Sequence, residues 1–267
     1  MNETDYGDIR PYTDDETVEA LARISRHPML PVVSKYLFPD LPPSAMSHML
    51  RGIGGTDQFQ NEVMVAVVEA VLASTSQGFT CSGGEHLKQI DGRFLCISNH
   101  RDIVMDPALI QYVMQRADLP YTEICVGSNL VTSQFIEDLM RSNRMIKVIR
   151  GIKARELYLS SQRLSQYIRE RITSGEASIW IAQREGRTKN GRDRTEQGLL
   201  KMFDMSGTGT FEENFLELNV VPMSISYEYE TCDSRKAREV LMRREGPYVK
   251  KDKEDLHSIL TGIRQQK

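Results

Sequence analysis

The sequence predicts an α/β protein: a mostly parallel central sheet flanked by helices, with a helical segment in front of it. Three observations carry this. Short apolar runs rich in β-branched residues recur at 94–98, 123–126, 146–149, 178–182 and 220–227. Helix-patterned stretches separate the first four, which is the alternation of a parallel sheet covered on both faces. Before residue 79 the pattern is helical throughout. The chain therefore divides into an N-terminal helical region, 1–78, and an α/β domain, 79–267.

Taken in order, residues 1–14 read as a polar tail, and a helix follows from Asp15 to about His27. Pro28, Pro31, Pro39, Pro42 and Pro43 cut the next section into short pieces. Val63, Val67, Ala70 and Val71 repeat at helical spacing within 57–74, and Gly83-Gly84 closes the helical third. Asp106-Pro107 opens a helix to residue 116, with Asp as N-cap and Pro at the first helical position. A short helix spans 134–141. The helix at 154–174 puts Leu157, Leu164, Ile168 and Ile172 on one face, and Gly175 stops it. Residues 250–267 are charged and helix-compatible, with Leu256, Ile259, Leu260 and Ile263 at helical spacing.

The 267 residues suffice for one large domain with a helical appendage, and a composition 40% hydrophobic and 27% charged is that of a globular protein. A net charge of −3 argues against nucleic acid as a partner. Charge is uneven, however. Residues 1–20 hold seven acids and one base, whereas 141–155 hold six bases (Arg141, Arg144, Lys147, Arg150, Lys153, Arg155) and no acid. Such a run points to a local anionic ligand or a membrane surface. Cys81, Cys96, Cys125 and Cys232 have no metal-ligand spacing. Cys96 and Cys125 fall in strand-like runs and read as buried thiols, which suits a reducing cytoplasm. The acidic N-terminus does not read as a signal peptide. The best apolar run, 63–73, is broken by Glu69 and too short to span a bilayer. The expected location is cytoplasmic, with any membrane contact peripheral and on the inner face.

Candidate chemistry gathers at strand ends. His100 follows the run at 94–98, and Asp106 starts the next helix. A carboxylate partner holds one imidazole nitrogen protonated and leaves the other free as a base for a hydroxyl. Arg150 ends the run at 146–149 and suits bidentate recognition of phosphate or carboxylate. After the run at 178–182 comes a glycine-bearing loop with five bases and two acids between Arg184 and Arg194. Its backbone and charges fit an anion, with Glu185 orienting the bases. In a parallel sheet these ends share one edge.

The ordered set Asn99-His100-Arg101 with Asp106-Pro107, Lys147-Val148-Ile149-Arg150-Gly151, Glu185-Gly186-Arg187-Thr188 and Val221-Pro222-Met223-Ser224-Ile225-Ser226 resembles the glycerolipid acyltransferases, over about residues 90–230. These are the glycerol-3-phosphate and 1-acyl-glycerol-3-phosphate acyltransferases. The resemblance implies that His100 is the general base and that Asp106 orients it. It implies that Arg150 and Glu185-Gly186-Arg187 hold the acceptor phosphate, and that Pro222 lines the acyl-thioester site. It also implies acyl-CoA or acyl carrier protein as donor, a phosphorylated or lysolipid acceptor, peripheral contact with an anionic membrane, and neither metal nor bound cofactor.

This chain departs from the family pattern in two places. Five residues, not four, separate His100 from Asp106, so Asp102 is a rival carboxylate. Asp106 is preferred because Asp-Pro and the apolar helix after it match the family. The third block is one residue short of Glu-Gly-Thr-Arg-Ser. Two further classes stand beside the acyltransferase: a non-catalytic lipid- or anion-binding module, favoured by the altered spacing, and a metal hydrolase using His100, Asp102 and Asp106.

Overall fold

Five short strands, almost all of their residues buried or half-buried, build the central sheet. In the computed structural model, which describes residues 5–230, 232–246, 254, 257 and 261, the chain begins with helices. These are α1 (Asp14–Ile24), α2 (Leu30–Leu37), α3 (Ala45–Arg51), α4 (Thr56–Gln58) and α5 (Val65–Thr75), with a π-helical stretch Phe59–Met64 joining the last two. A short α6 (Gly84–Leu87) leads into β1 (Leu95–Ser98), α7 (Met105–Arg116), β2 (Glu123–Gly127), α8 (Gln134–Ser142) and β3 (Met145–Val148). Then come α9 (Ala154–Thr173), β4 (Ile179–Ala182), α10 (Gln197–Asp204), α11 (Phe211–Leu216), β5 (Val220–Met223) and α12 (Asp233–Glu245). The expected helix at 250–267, with its apolar Leu256, Ile259, Leu260 and Ile263, lies outside the described residues but for isolated positions.

The sheet order is β3-β2-β4-β1-β5 and every pairing is parallel. Both faces are covered, as the apolar runs predict. Leu95, Cys125, Ile179 and Ile181 pack on α9 and α10 through Leu164, Ile168, Met202 and Phe203. The intervening Cys96, Ile124 and Trp180 pack on α7 through Ile110 and Met114. The period of two thus sends neighbouring side chains into two separate cores. Ser98 stands level with Ala182 and with Met223, and Gly127 with Val148. All five carboxyl ends therefore lie on one edge. The last strand is shorter than the run at 220–227: the ladder stops at Met223, while alternating burial carries on to Tyr227.

The N-terminal helices form their own apolar cluster, Leu21, Leu50, Phe59 and Val63 among them, closed by Phe135 and Leu139 of α8. Arg23 clamps the buried Asp138 of α8 through Nε and Nη2, both at 2.8 Å. Residues 5–13 are not the polar tail the composition suggests. Ile9 is 3% exposed and sits in the core of the sheet. Its carbonyl accepts the Lys147 N–H at 2.9 Å, and the Tyr12 N–H reaches the Arg141 carbonyl at 3.1 Å. The segment covers β3, which would otherwise be an open edge.

This docking also dissolves half of the basic run. Arg141 is buried and donates to the carbonyls of Arg10 and Gly7 at 2.9 and 2.6 Å. Arg144 pairs with Asp57, and Lys147 with Glu137. Only Arg150, Lys153 and Arg155 remain for another role. If the N-terminal segment belongs to the core, Ile9→Ala costs roughly 2–5 kcal/mol in chemical denaturation, the range for a buried large-to-small change. Met29→Ala, at a half-exposed position, stays within about 0.5 kcal/mol. An Ile9 variant as stable as wild type would return the segment to the status of a tail.

Candidate active site

Strand β1 ends at Ser98, whose Oγ accepts the Trp180 Nε1–H at 2.9 Å. The next residue is pinned through its side chain. Asn99 Nδ2 donates to the Ile225 carbonyl at 2.8 Å, and its Oδ1 accepts the Ile225 N–H at 2.7 Å. A side-chain amide thus replaces the ladder just where β5 ends. His100 is held by its backbone on both sides. Its N–H donates to Asp193 Oδ2 at 2.8 Å, and its carbonyl accepts the Thr188 N–H at 3.0 Å. The imidazole stands edge-on to Trp180, with ring centroids 6.1 Å apart.

His100 Nδ1 lies 2.8 Å from Asp106 Oδ2. The same oxygen accepts the N–H groups of Arg101 and Asp102 at 2.6 and 3.0 Å, while Oδ1 accepts the Tyr227 hydroxyl at 2.8 Å. Asp106 is fully buried, whereas the His100 side chain keeps 15% exposure. Nδ1 is engaged, which leaves Nε2 for the cavity that His100 lines. Burial, reinforced by the Asp106 charge, pushes the Tyr227 phenol far up, so it stays a donor.

The expected N-cap role of Asp106 is not what the structure shows. Helix α7 begins at Met105, so Asp106 is its second residue. Asp102 closes the first turn instead: its Oδ1 accepts the Val104 and Met105 N–H groups at 2.9 and 2.8 Å. Starting the helix one residue before Asp106 takes up the longer spacing. It also places the carboxylate where the helix dipole favours negative charge. Asp102 and Asp106 thus divide the work, the first shaping the turn and the second meeting the imidazole. Among the described residues no three His, Cys, Asp or Glu side chains converge as a metal site.

Beyond His100 a cavity of about 1450 Å³ opens along the carboxyl edge of the sheet. Val148, Leu157, Leu164, Leu199 and Met202 give it an apolar wall; Arg150, Arg184, Arg187 and Lys189 give it a cationic one. Arg150 Nη1 pairs with Glu185 Oε1 at 2.7 Å. Gly186, at φ +70°, makes the turn that buries Arg187 and Thr188. Lys189 then meets Glu239 of α12 at 3.0 Å. The structure brings His100, Asp106, Arg150, Glu185, Gly186 and Arg187 to this one region, but not Pro222. That residue is exposed on the edge strand β5, beside Ile97, and does not line the cavity. An edge is where a strand tolerates a residue without an N–H.

Sequence reasoning missed several contributors. Trp180, the one tryptophan of the chain, supports the imidazole. Tyr227 was detectable only as the third member of the alternating series Met223, Ile225, Tyr227. Lys236 is buried behind the His100 loop, where its Nζ donates to the Arg101 carbonyl at 2.6 Å and pairs with Glu230. Burial lowers its pKa against the pull of Glu230.

The site is thus a His–Asp pair at the carboxyl edge of a parallel α/β sheet, beside a cavity with cationic and apolar lining. The chain belongs to the acyltransferase family, whose model matches residues 78–226, placing it in the glycerolipid acyltransferase superfamily. A comparison with curated proteins gives no match.

Gly127 offers a test of the cationic wall. A Cβ there would lie 2.9 Å from Arg150 Nε and 2.5 Å from Asn129 Oδ1. Gly127→Ala should therefore swing Arg150 away from Glu185 while leaving β2 in place, and a crystal structure of the variant reads this directly. An unmoved Arg150–Glu185 pair would show that the close approach is not what holds the guanidinium.

Proposed function

We propose that this acyltransferase moves a fatty acyl group from an acyl thioester, acyl-CoA or acyl carrier protein, to a hydroxyl of a glycerol-phosphate-like or lysolipid acceptor, with His100 as general base. The observation that carries the reading is the 2.8 Å His100–Asp106 pair at a cavity with one cationic and one apolar wall. The altered spacing, the main argument for a non-catalytic module, loses its force because the pair still closes.

In this mechanism His100 Nε2 takes the proton of the acceptor hydroxyl as the oxygen attacks the thioester carbonyl. Asp106 keeps Nδ1 protonated and stabilises the imidazolium that forms. The tetrahedral intermediate collapses with cleavage of the C–S bond, and the imidazolium returns its proton to the departing thiolate. Backbone N–H groups near Gly186 are candidates for holding the oxyanion. Arg150 and Arg187 hold the acceptor phosphate, with Glu185 setting the Arg150 guanidinium. The acyl chain lies along Val148, Leu164 and Met202. No acyl-enzyme, metal or bound cofactor is part of the scheme.

The test compares three variants by thiol release and lipid-product mass spectrometry, with candidate acceptors and a labelled acyl thioester. His100→Ala should fold and lose about 10²–10⁴ in rate. Asp106→Asn should lose most activity with little change in acceptor KM. Asp102→Asn should lose much less, since an amide oxygen can still accept the two N–H groups at the start of α7. Wild-type turnover by folded His100→Ala would sink the reading, and the reverse ranking of the two carboxylates would reassign the partner.

A lysolipid acceptor resides in a membrane, and no helix among the described residues is long and apolar enough to cross one. The contact proposed is peripheral, from the cytoplasmic face. The first turns of α9 suit it: Lys153 and Arg155 are exposed, and Leu157, Tyr158 and Leu159 are 48–60% exposed. Leu157 also lines the cavity. Each base near an anionic surface is worth about 1 kcal/mol. Replacing Lys153 and Arg155 together by Gln should thus weaken binding to phosphatidylserine-containing vesicles about tenfold or more. Salt should weaken wild-type binding too. Retention indifferent to both would argue for a different, apolar attachment.

A further inference from the structure

We propose that Tyr227 is a positioning residue for the His100–Asp106 pair: its hydroxyl locks the buried Asp106 carboxylate so that Oδ2 faces the imidazole. The proposal rests on reading His100 as the base. Nothing in the family match covers this residue, since the match ends at 226.

The argument starts from Asp106. Three donors converge on its Oδ2, and all come from the six residues before it: His100 Nδ1 and the N–H groups of Arg101 and Asp102. They fix one oxygen but not the plane of the carboxylate, because rotation about its terminal bond is soft. The other oxygen is met from 121 residues away, by the Tyr227 hydroxyl at 2.8 Å. Two oxygens held from two directions define the plane. They also satisfy a fully buried charge that would otherwise carry an unmet acceptor.

Tyr227 can do this because it is itself held. The double hydrogen bond from Asn99 fixes Ile225. Burial alternates from Val221 to Tyr227, so Tyr227 is half-buried as Ile225 is. Its ring packs in the cluster of Val68, Leu109 and Tyr112. Asn99 therefore stands at the root of both arms, one residue before His100 and two residues before Tyr227 through Ile225. A phenol sharing the carboxylate also draws charge from the imidazole. Removing it should let the pair keep its proton to higher pH, whether that proton resides on His100 or on Asp106.

The experiment is Tyr227→Phe in the full chain, which keeps the ring and its packing. The charged or titratable groups around the pair are unchanged: Arg101 and Asp102 in its loop, Arg187 and Asp193 after β4, Glu230 and Lys236 in the following segment, and Glu69 and Tyr112 behind the ring. The acid limb of kcat/KM should move up by about half a unit or more, kcat should fall about tenfold, and both KM values should hold within about twofold, as expected for loss of orientation at a base. The imidazole NMR titration of His100, assigned with His100→Ala, should move the same way without substrate. In the wild-type chain the Tyr227 hydroxyl proton should exchange slowly and shift as His100 titrates. Wild-type kcat with an unmoved His100 titration, or a hydroxyl proton indifferent to that titration, overturns the proposal. Wild-type turnover by His100→Ala would instead overturn the base reading, and the titrations would still decide whether the phenol acts on the pair.

Discussion

The buried Asp106 carboxylate is the point on which the architecture of the site depends. It accepts hydrogen bonds from His100, two residues after β1, from the loop that leads to α7, and from the segment after β5. It also sits in the first turn of α7, where unsatisfied backbone N–H groups favour an anion. Burying a lone carboxylate is costly, and only this density of donors offsets it. The same bonds that keep the charge tolerable hold the loop in shape. Loop conformation, helix start and imidazole orientation are therefore one constraint and not three.

The parallel sheet supplies the second condition. Every strand delivers its carboxyl end to one edge, so residues far apart in sequence meet there without any special loop geometry. Arg150 follows β3, the Arg184–Arg194 stretch follows β4, and His100 follows β1. Cations gathered in this way repel one another unless acids stand between them. Glu185 meets Arg150, Glu239 meets Lys189, and Asp193 takes the His100 N–H. A guanidinium has five donors. One carboxylate oxygen on Arg150 leaves others for a phosphate, so the pairing sets direction without using up the capacity to bind.

Much of this was legible in the sequence, and what was not has physical reasons. Strands buried on both faces read as unbroken apolar runs, which is why 94–98 and 178–182 stand out so clearly. The last run was read as too long because alternation continues past Met223, where Asn99 takes over from the ladder. The docked segment around Ile9 was illegible: one apolar residue among acids does not reveal that its backbone covers β3. The run at 141–155 misled for a similar reason, since the partners of Arg141, Arg144 and Lys147 are carbonyls or acids that only the fold brings near. His100 and its carboxylate were found from local pattern, but the pattern could not show that Asp102 shapes the turn while Asp106 meets the ring. Pro222 carries a strand signal, and the structure puts it on the edge strand β5, outside the cavity lining.

The site is completed from outside the region that carries the family pattern. The match ends at residue 226, yet Tyr227, Glu230, Lys236 and Glu239 all bear on it. Lys236 and Glu230 grip Arg101 from behind, one through its carbonyl and the other through its guanidinium. Glu239 grips Lys189 and, with it, the glycine loop. That loop is therefore anchored at Thr188 and Asp193 on the His100 backbone and at Lys189 on α12, with Arg187 and Thr188 buried. Between the anchors Asn190, Gly191 and Arg192 remain exposed. The anchored part of the loop is the part that meets His100. Asn190 and Arg192 of the exposed part line the cavity. The segment after residue 226 thus keeps the His100 loop and the glycine loop in register, through contacts that the family pattern does not include.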